Sequence, residues 1–139
     1  MSILKVMEVA LAGMTAQRTR LNVTAENLAN VQTTRTSRGG PYLRKSVVLE
    51  ARPQEAFASL LNSPESVEVA AVVEDARGLK PEYQPGHPDA DPQGMVLWPN
   101  IDPVMEMVNL MVASRAFDAN VAVFRTARAM ALKALEIGR

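Results

Sequence analysis

"NIDPVMEMVNLMVASRAFDANVAVFRTARAMALKALEIG", residues 100–138, decides the architecture. Asp102 is suited to cap a helix start, and Pro103 fits the first helical position, where its missing N–H costs nothing. Glu106 falls in the first turn, where the helix dipole favours a negative charge. Apolar residues then recur at helical spacing at Met107, Leu110, Phe117, Val121, Phe124, Ala131 and Leu135, interrupted by Ser114 and Arg128. Gly138 offers a stop. Residues 103 to 137 as one helix would be about 52 Å long at 1.5 Å per residue. A compact domain of this chain length has a diameter of only about 37 Å. Such a helix projects, bends, or packs against other molecules.

The same helix carries a second stripe, Val112, Ala116, Ala119, Val123, Ala127, Met130 and Ala134. One partner helix covers one stripe, so the other asks for a further neighbour. A third helix within the chain would answer it, but the middle of the sequence supplies none. Neighbouring subunits are the expected cover.

The first partner is at the other end of the chain. Leu4, Met7, Leu11, Met14, Arg18, Leu21, Ala25 and Leu28 mark a heptad series in which only Arg18 is polar. Ser2 stands where a cap would start it. The spacing predicts two long terminal helices forming a coiled-coil-like pair. Leu4, Met7, Leu11, Met14, Leu21 and Leu28 from the first helix form the expected seam with Leu110, Val121, Phe124 and Leu135 from the second. If the pair is antiparallel with its middles aligned, Arg128 falls near Glu8 and Arg18 near Asp118; in a parallel pair Arg18 still meets Asp118 but Arg128 loses Glu8, and without pairing both arginines snorkel from the seam.

Between the helices the composition changes. Seven of nine prolines lie between Pro41 and Pro92. "PYLRKSVVLEA" and "SVEVAAVVED" read as strands, "RPQEAFASLLNSPE" as a loop, "KPEYQPGHPDADPQG" as a turn-rich connector, and "MVLWPN" as a short extended segment. "SRGGPY" lacks the lysine of a phosphate-binding loop and lets the chain turn before a strand. The predicted fold is therefore mainly α with a small β insert. Residues 1–36 and 101–139 form a discontinuous helical assembly domain, and residues 37–100 a central strand- and turn-rich insert.

At 139 residues the chain suits one domain with a real core. Fifteen basic and fifteen acidic residues balance, and aromatic residues number six, so neither charge nor stacking surface points to nucleic acid. There is no cysteine, which excludes disulfides, thiolate metal sites and thiol catalysis. No apolar run is long enough to span a membrane. Lys5 and Glu8 interrupt the first apolar region, so an ordinary signal peptide is not expected.

Chemistry has one foothold, "GHPDAD", with His87, Asp89 and Asp91. Imidazole and carboxylates bind metals and move protons. Yet prolines flank them, there is no second histidine, and no ligand spacing is completed; a solvated turn is the favoured reading. No nucleophile elbow or triad is present. We expect no enzyme, cofactor, metal or small-molecule substrate. A metal-dependent enzyme using His87 and a free-standing coiled-coil adaptor stand as alternatives. Divalent-metal binding would mark the first, a closed oligomer of fixed size the second.

The exit of the first helix, "AENLANVQTTRT" at residues 25–36, is free of a glycine stop. Asn27 and Asn30 project from nearby faces and can bond the free backbone groups of a helix end, while Thr33, Thr34 and Thr36 favour leaving it. Functionally, "MTAQRTRLNVTAENLANVQTTRT" resembles the amino-terminal signature shared by flagellar rod, hook and hook-associated proteins, centred on Asn27, Leu28, Ala29 and Asn30 followed by Thr33. "GGPYLRK" resembles the continuation found in proximal rod proteins. The stretch from "YQPGHPDADPQG" to "KALEIG" resembles the carboxy-terminal region of that subfamily. Its strongest part is Glu106, Met107 and Val108, then Ala113, Ser114, Arg115, Ala116 and Phe117, then Ala119, Asn120 and Val121. Phe117 stands where tyrosine is common, and Met95 and Trp98 replace residues often seen as tyrosine and methionine.

The resemblance to flagellar basal-body rod proteins covers the whole chain. It implies a structural axial subunit that polymerises into the periplasmic rod transmitting torque to the hook and filament. It also implies an inner layer built from the terminal helices, and export through the flagellar type III apparatus without a cleaved signal. Implied partners are other proximal and distal rod subunits, the export-gate rod adaptor, and further copies of the chain.

Overall fold

A computed structural model describes residues 2–53 and 65–137. Two long helices flank two small antiparallel sheets, so the fold is mainly α with a β insert. Helix α1 spans Ile3–Ala29 and α2 spans Pro103–Ile137. Between them come β1 (Arg44–Pro53), β2 (Glu65–Asp75), β3 (Lys80–Tyr83) and β4 (Met95–Trp98). The loop expected at "RPQEAFASLLNSPE" lies largely, and the stop at Gly138 wholly, outside the described residues.

Asp102 caps α2 as its side chain predicts, Oδ1 accepting from the Val104 N–H at 2.9 Å and more weakly from that of Met105 at 3.5 Å. Ser2 sits at the α1 cap position in extended conformation but makes no side-chain cap bond. At 35 residues, α2 is about 52 Å of unbroken helix.

The helices run antiparallel. The Asn27 carboxamide meets Glu106, and Gly13 faces Asn120, so residues that stand level have numbers summing to 133. The middle-aligned register expected from the arginines is off by three residues, close to one turn. Glu8 comes level with Arg125 and Arg18 with Arg115, and Arg18 and Asp118 are both solvent-exposed rather than paired at the seam. Small residues set the register. A Cβ on Gly13 would lie 2.8 Å from Asn120 Oδ1, inside contact distance, so the Asn120 side chain packs directly onto the Gly13 backbone. Ala10, Ala113 and Ala127 are 1–3% exposed along the same line.

That line displaces the predicted large-residue seam. Leu4 and Leu11 are 68% and 56% exposed and Leu135 is 71% exposed; Met7, Met14, Leu21, Leu28, Leu110, Val121 and Phe124 are half-buried beside the seam. Close approach of two backbones needs small side chains at the crossing, and the leucine series lies on the flank. On α2 the outward face remains apolar: Val104, Met105, Val108, Met111, Val112, Val123 and Met130 are each at least 40% exposed.

Strands β1 and β2 pair from Arg44↔Asp75 to Pro53↔Glu65, and the register shifts between Val48 and Leu49, where Ala70 is the extra residue on β2. This hairpin packs along α1. Strand β3, inside the stretch expected to be connector only, pairs with β4 from Lys80↔Trp98 to Tyr83↔Met95. Its edge pairing is favoured once Gly94, at φ +78, lets the returning loop close. The turn predicted at "SRGGPY" is present, with Gly39 and Gly40 at φ +84 and +74.

Candidate functional site

Among the described residues the largest fully buried side chains are Glu106, Val96 and Asn27; two of the three are polar, and they touch. Buried polar groups demand partners, so this junction of α1, β1 and α2 is where side-chain chemistry has been spent on the fold.

Asn27 lies in the last turn of α1, facing the start of β1. Its Oδ1 accepts from the Lys45 N–H at 2.9 Å and from the Tyr42 hydroxyl at 3.0 Å. Its Nδ2 donates to the Lys45 carbonyl at 2.8 Å and to Glu106 Oε2 at 3.3 Å. A carboxamide has two donors and two acceptor positions, and all four are used. The side chain pairs with Lys45 as a neighbouring strand would, fixing where β1 leaves the helix. A carboxylate there would lack the donors, and a leucine would lack everything.

Glu106 is 2% exposed. Its Oε1 accepts from Arg44 Nε at 2.9 Å and Nη2 at 2.7 Å, and Arg44 Nη1 donates onward to Ser46 Oγ at 2.9 Å. The glutamate expected to serve the helix dipole is therefore also the buried acid of an ion pair whose arginine is 33% exposed, spanning 62 residues of sequence. Such a pair gains little net stability over a hydrophobic replacement, but losing one partner alone costs about 3–5 kcal/mol. Tyr42, 7% exposed, has its hydroxyl pushed up to about 12, first by burial and then by the charges of Glu26, Glu74 and Glu106. It stays a donor to Asn27. Lys45 pairs with Glu26 and lies 5.7 Å over the Tyr42 ring.

Asn30 does what the sequence suggested. It ends α1, its Nδ2 donating to the Glu26 carbonyl at 2.8 Å and its Oδ1 accepting from Thr33 Oγ1 at 3.0 Å. The Thr33 carbonyl then accepts from the Tyr42 N–H at 3.0 Å. Leu28 is half-buried and Ala29 exposed. On α2, Asn120 lies at the Gly13 crossing and returns its Nδ2 to the Ala116 carbonyl at 2.9 Å. Met107 and Arg115 are exposed, and Ser114 and Phe117 half-buried along the helix flank, away from the junction. Sequence reading thus found Asn27 and Glu106 but not Arg44, Tyr42 or Lys45. A lone acid amid "VMEMV" was the available signal for a buried partner.

His87, Asp89 and Asp91 each have a local task. His87 Nδ1 accepts from the Asp89 N–H at 3.1 Å, and its ring meets Trp98 edge-on at 5.9 Å. Asp89 accepts from Thr34 Oγ1 at 2.8 Å and faces Arg35, tying the α1 exit to the connector. Asp91 Oδ1 accepts from the N–H groups of Gln93 and Met95 at 2.9 and 2.8 Å, a turn leading into β4. No cluster of three potential metal ligands occurs among the described residues. No described helix is long and apolar enough to cross a membrane.

Against known proteins, residues 7–35 match the family described as flagella basal body rod protein, and residues 93–137 match the flagellar basal body rod FlgEFG protein C-terminal family. The chain is 42% identical over 139 residues to the flagellar basal-body rod protein FlgC of Escherichia coli O6:H1, covering 100% of both chains. It is 41% identical over 141 residues to that of Salmonella typhimurium, again covering 100% of both. To that of Bacillus subtilis it is 39% identical over 145 residues, covering 96% of each.

Proposed function

The chain belongs to the flagellar basal-body rod proteins, and from that membership we propose that it is a structural subunit of the proximal rod, built to pack against other axial subunits and pass torque along them. One observation supports this reading most. The outward face of α2 is largely apolar from Val104 to Met130, broken by Arg115 and Thr126, although α2 already packs against α1. Covering an aliphatic side chain fully is worth about 1.5–3 kcal/mol, so half-covered residues repeated along a 35-residue helix suffice to hold neighbours in line.

On this reading, residues 1–36 and 101–139 are the assembly part, and residues 37–100 the insert. Leu4, Met7, Leu11, Met14, Leu21 and Leu28 are then surface for neighbouring helices, with Leu110, Val121, Phe124 and Leu135 continuing it on α2. Asn27 and Glu106 hold the insert to the helices, Asn30 and Thr33 shape the exit, and Asn120 sets the crossing. Met107, Ser114, Arg115 and Phe117 face neighbouring subunits. The partners are other proximal and distal rod subunits, further copies of the chain, and the export-gate rod adaptor. The place of work is the periplasmic rod, reached through the flagellar type III apparatus without a cleaved signal.

Deleting the coding region should abolish swimming and leave basal bodies without a complete rod. A Met111→Glu variant separates assembly from folding, because Met111 is 52% exposed. Its circular dichroism should match the parent while rods fail to form. Normal swimming in both strains would end the reading.

A further inference from the structure

Two uncovered features of this molecule are complementary. Ile3, the first residue of α1, stands level with residue 130, so α2 runs on alone from residue 131 to Ile137 for nearly two turns. On this projection Leu132, Leu135 and Ile137 are 51%, 71% and 86% exposed, and Lys133 is exposed among them. The second feature is a groove of about 500 Å³ between α1 and β2, lined by Leu11, Ala12, Ala16, Val67 and Val69. Glu8 and Glu68 stand on its wall, Glu68 also pairing with Arg52 at 2.9 Å. Thr15 and Thr19, also in the wall, return their hydroxyls to the carbonyls of Leu11 and Thr15, so these donors ask for no partner in the groove.

The projection cannot fill the groove of its own chain while α2 stays straight. It points beyond the amino end of α1, whereas the groove lies beside residues 8–19. Among the described residues, the projection can therefore meet such a groove only in another copy of the chain. We infer that the projecting end of α2 in one copy docks in the α1–β2 groove of a second copy, with Leu132 and Leu135 against the apolar lining and Lys133 towards Glu8 and Glu68. Two different patches meet, so the contact is heterologous and repeats from copy to copy. The inference rests on the rod reading only in taking copies of this chain to be neighbours.

The chain has no cysteine, so introduced thiols report unambiguously. Full-length Ala12→Cys chain is mixed with full-length Leu135→Cys chain and oxidised. A parallel mixture pairs Leu135→Cys with Val48→Cys, 45% exposed on the hairpin face opposite to Leu49 and Val69. The docking contact predicts about tenfold more disulfide heterodimer in the first mixture than in the second, the gain that a held-together pair provides. The excess should vanish when Leu132→Asp is added to the Leu135→Cys chain. Equal yields in both mixtures would overturn the inference, as would an excess that survives Leu132→Asp. A disulfide formed only within single chains of the Ala12→Cys/Leu135→Cys double variant would overturn it too, by assigning the groove to its own chain. Swimming of the Met111→Glu strain bears on the rod reading and leaves this result untouched.

Discussion

Replacing Asn27 by aspartate changes one nitrogen to oxygen and should unlock the junction. The new Oδ2 would lie 3.3 Å from Glu106 Oε2 and 2.8 Å from the Lys45 carbonyl, where Nδ2 now donates to both. Two hydrogen bonds worth about 1 kcal/mol each are lost. Two unit charges 3.3 Å apart at an effective dielectric of about 20 repel by about 5 kcal/mol. Arg44 and Lys45 offset part of that, so the net loss at pH 7 should be about 4 kcal/mol. That is a large share of the roughly 5–15 kcal/mol that holds a typical domain. The loss should also depend on pH. Repulsion raises the folded-state pKa of the introduced carboxyl above its unfolded value. The penalty is therefore present above that raised value and relieved as pH falls through it, when the protonated acid can again donate to Glu106 or Lys45. Asn27→Ala, which leaves the Tyr42 hydroxyl and the Lys45 backbone without this partner, should cost about 3 kcal/mol without the same acid relief. Urea unfolding followed by circular dichroism at pH 7 and pH 5 measures both. An aspartate variant as stable as the parent at pH 7, or with an identical deficit at pH 5, would refute the reasoning.

Arg44→Met should destabilise by about 3–5 kcal/mol because it strands a carboxylate that is 2% exposed, while Arg44→Met with Glu106→Leu should recover most of the loss in the same urea assay. Tyr42 predicts an alkaline weakness: its hydroxyl is raised from the ordinary 10 to about 12, so the stability it contributes is whole below pH 10 and is lost as pH rises towards 12. Tyr42→Phe should flatten that part of the urea-midpoint profile relative to the parent. Gly13→Leu should cost about 1–3 kcal/mol by forcing the helices apart at Asn120, and Asn120→Ala should return part of it, read as melting temperatures of the single and double variants.

Helix type and extent were plain in the sequence because they depend on local signals. Asp102 and Pro103 mark the start of α2, and Asn30 with its threonines marks the end of α1. The hairpin strands were legible as apolar, β-branched runs. The pairing face was not. A heptad of leucines and methionines advertises itself, but the crossing follows Ala10, Gly13, Ala113 and Ala127, of which only Ala127 stood on a predicted stripe, the second one assigned to neighbouring subunits. The short β3 was hidden because Lys80–Tyr83 is fully exposed and owes its form to β4. The junction was half-visible for a related reason. Asn27 and Glu106 drew notice as motif residues, but Arg44 and Tyr42 look like ordinary strand-entry residues until the fold carries them to the helices.

The Asn27–Arg44–Glu106 knot ties together positions separated by up to 79 residues. A chain leaving the ribosome amino end first therefore holds the key long before the last tumbler exists. Until residue 106 arrives, Arg44 lacks the Glu106 carboxylate and Asn27 has one donor to spare, so no shorter nascent piece can close this knot. The junction consequently stays open through most of synthesis and can close only when the final quarter of the chain appears.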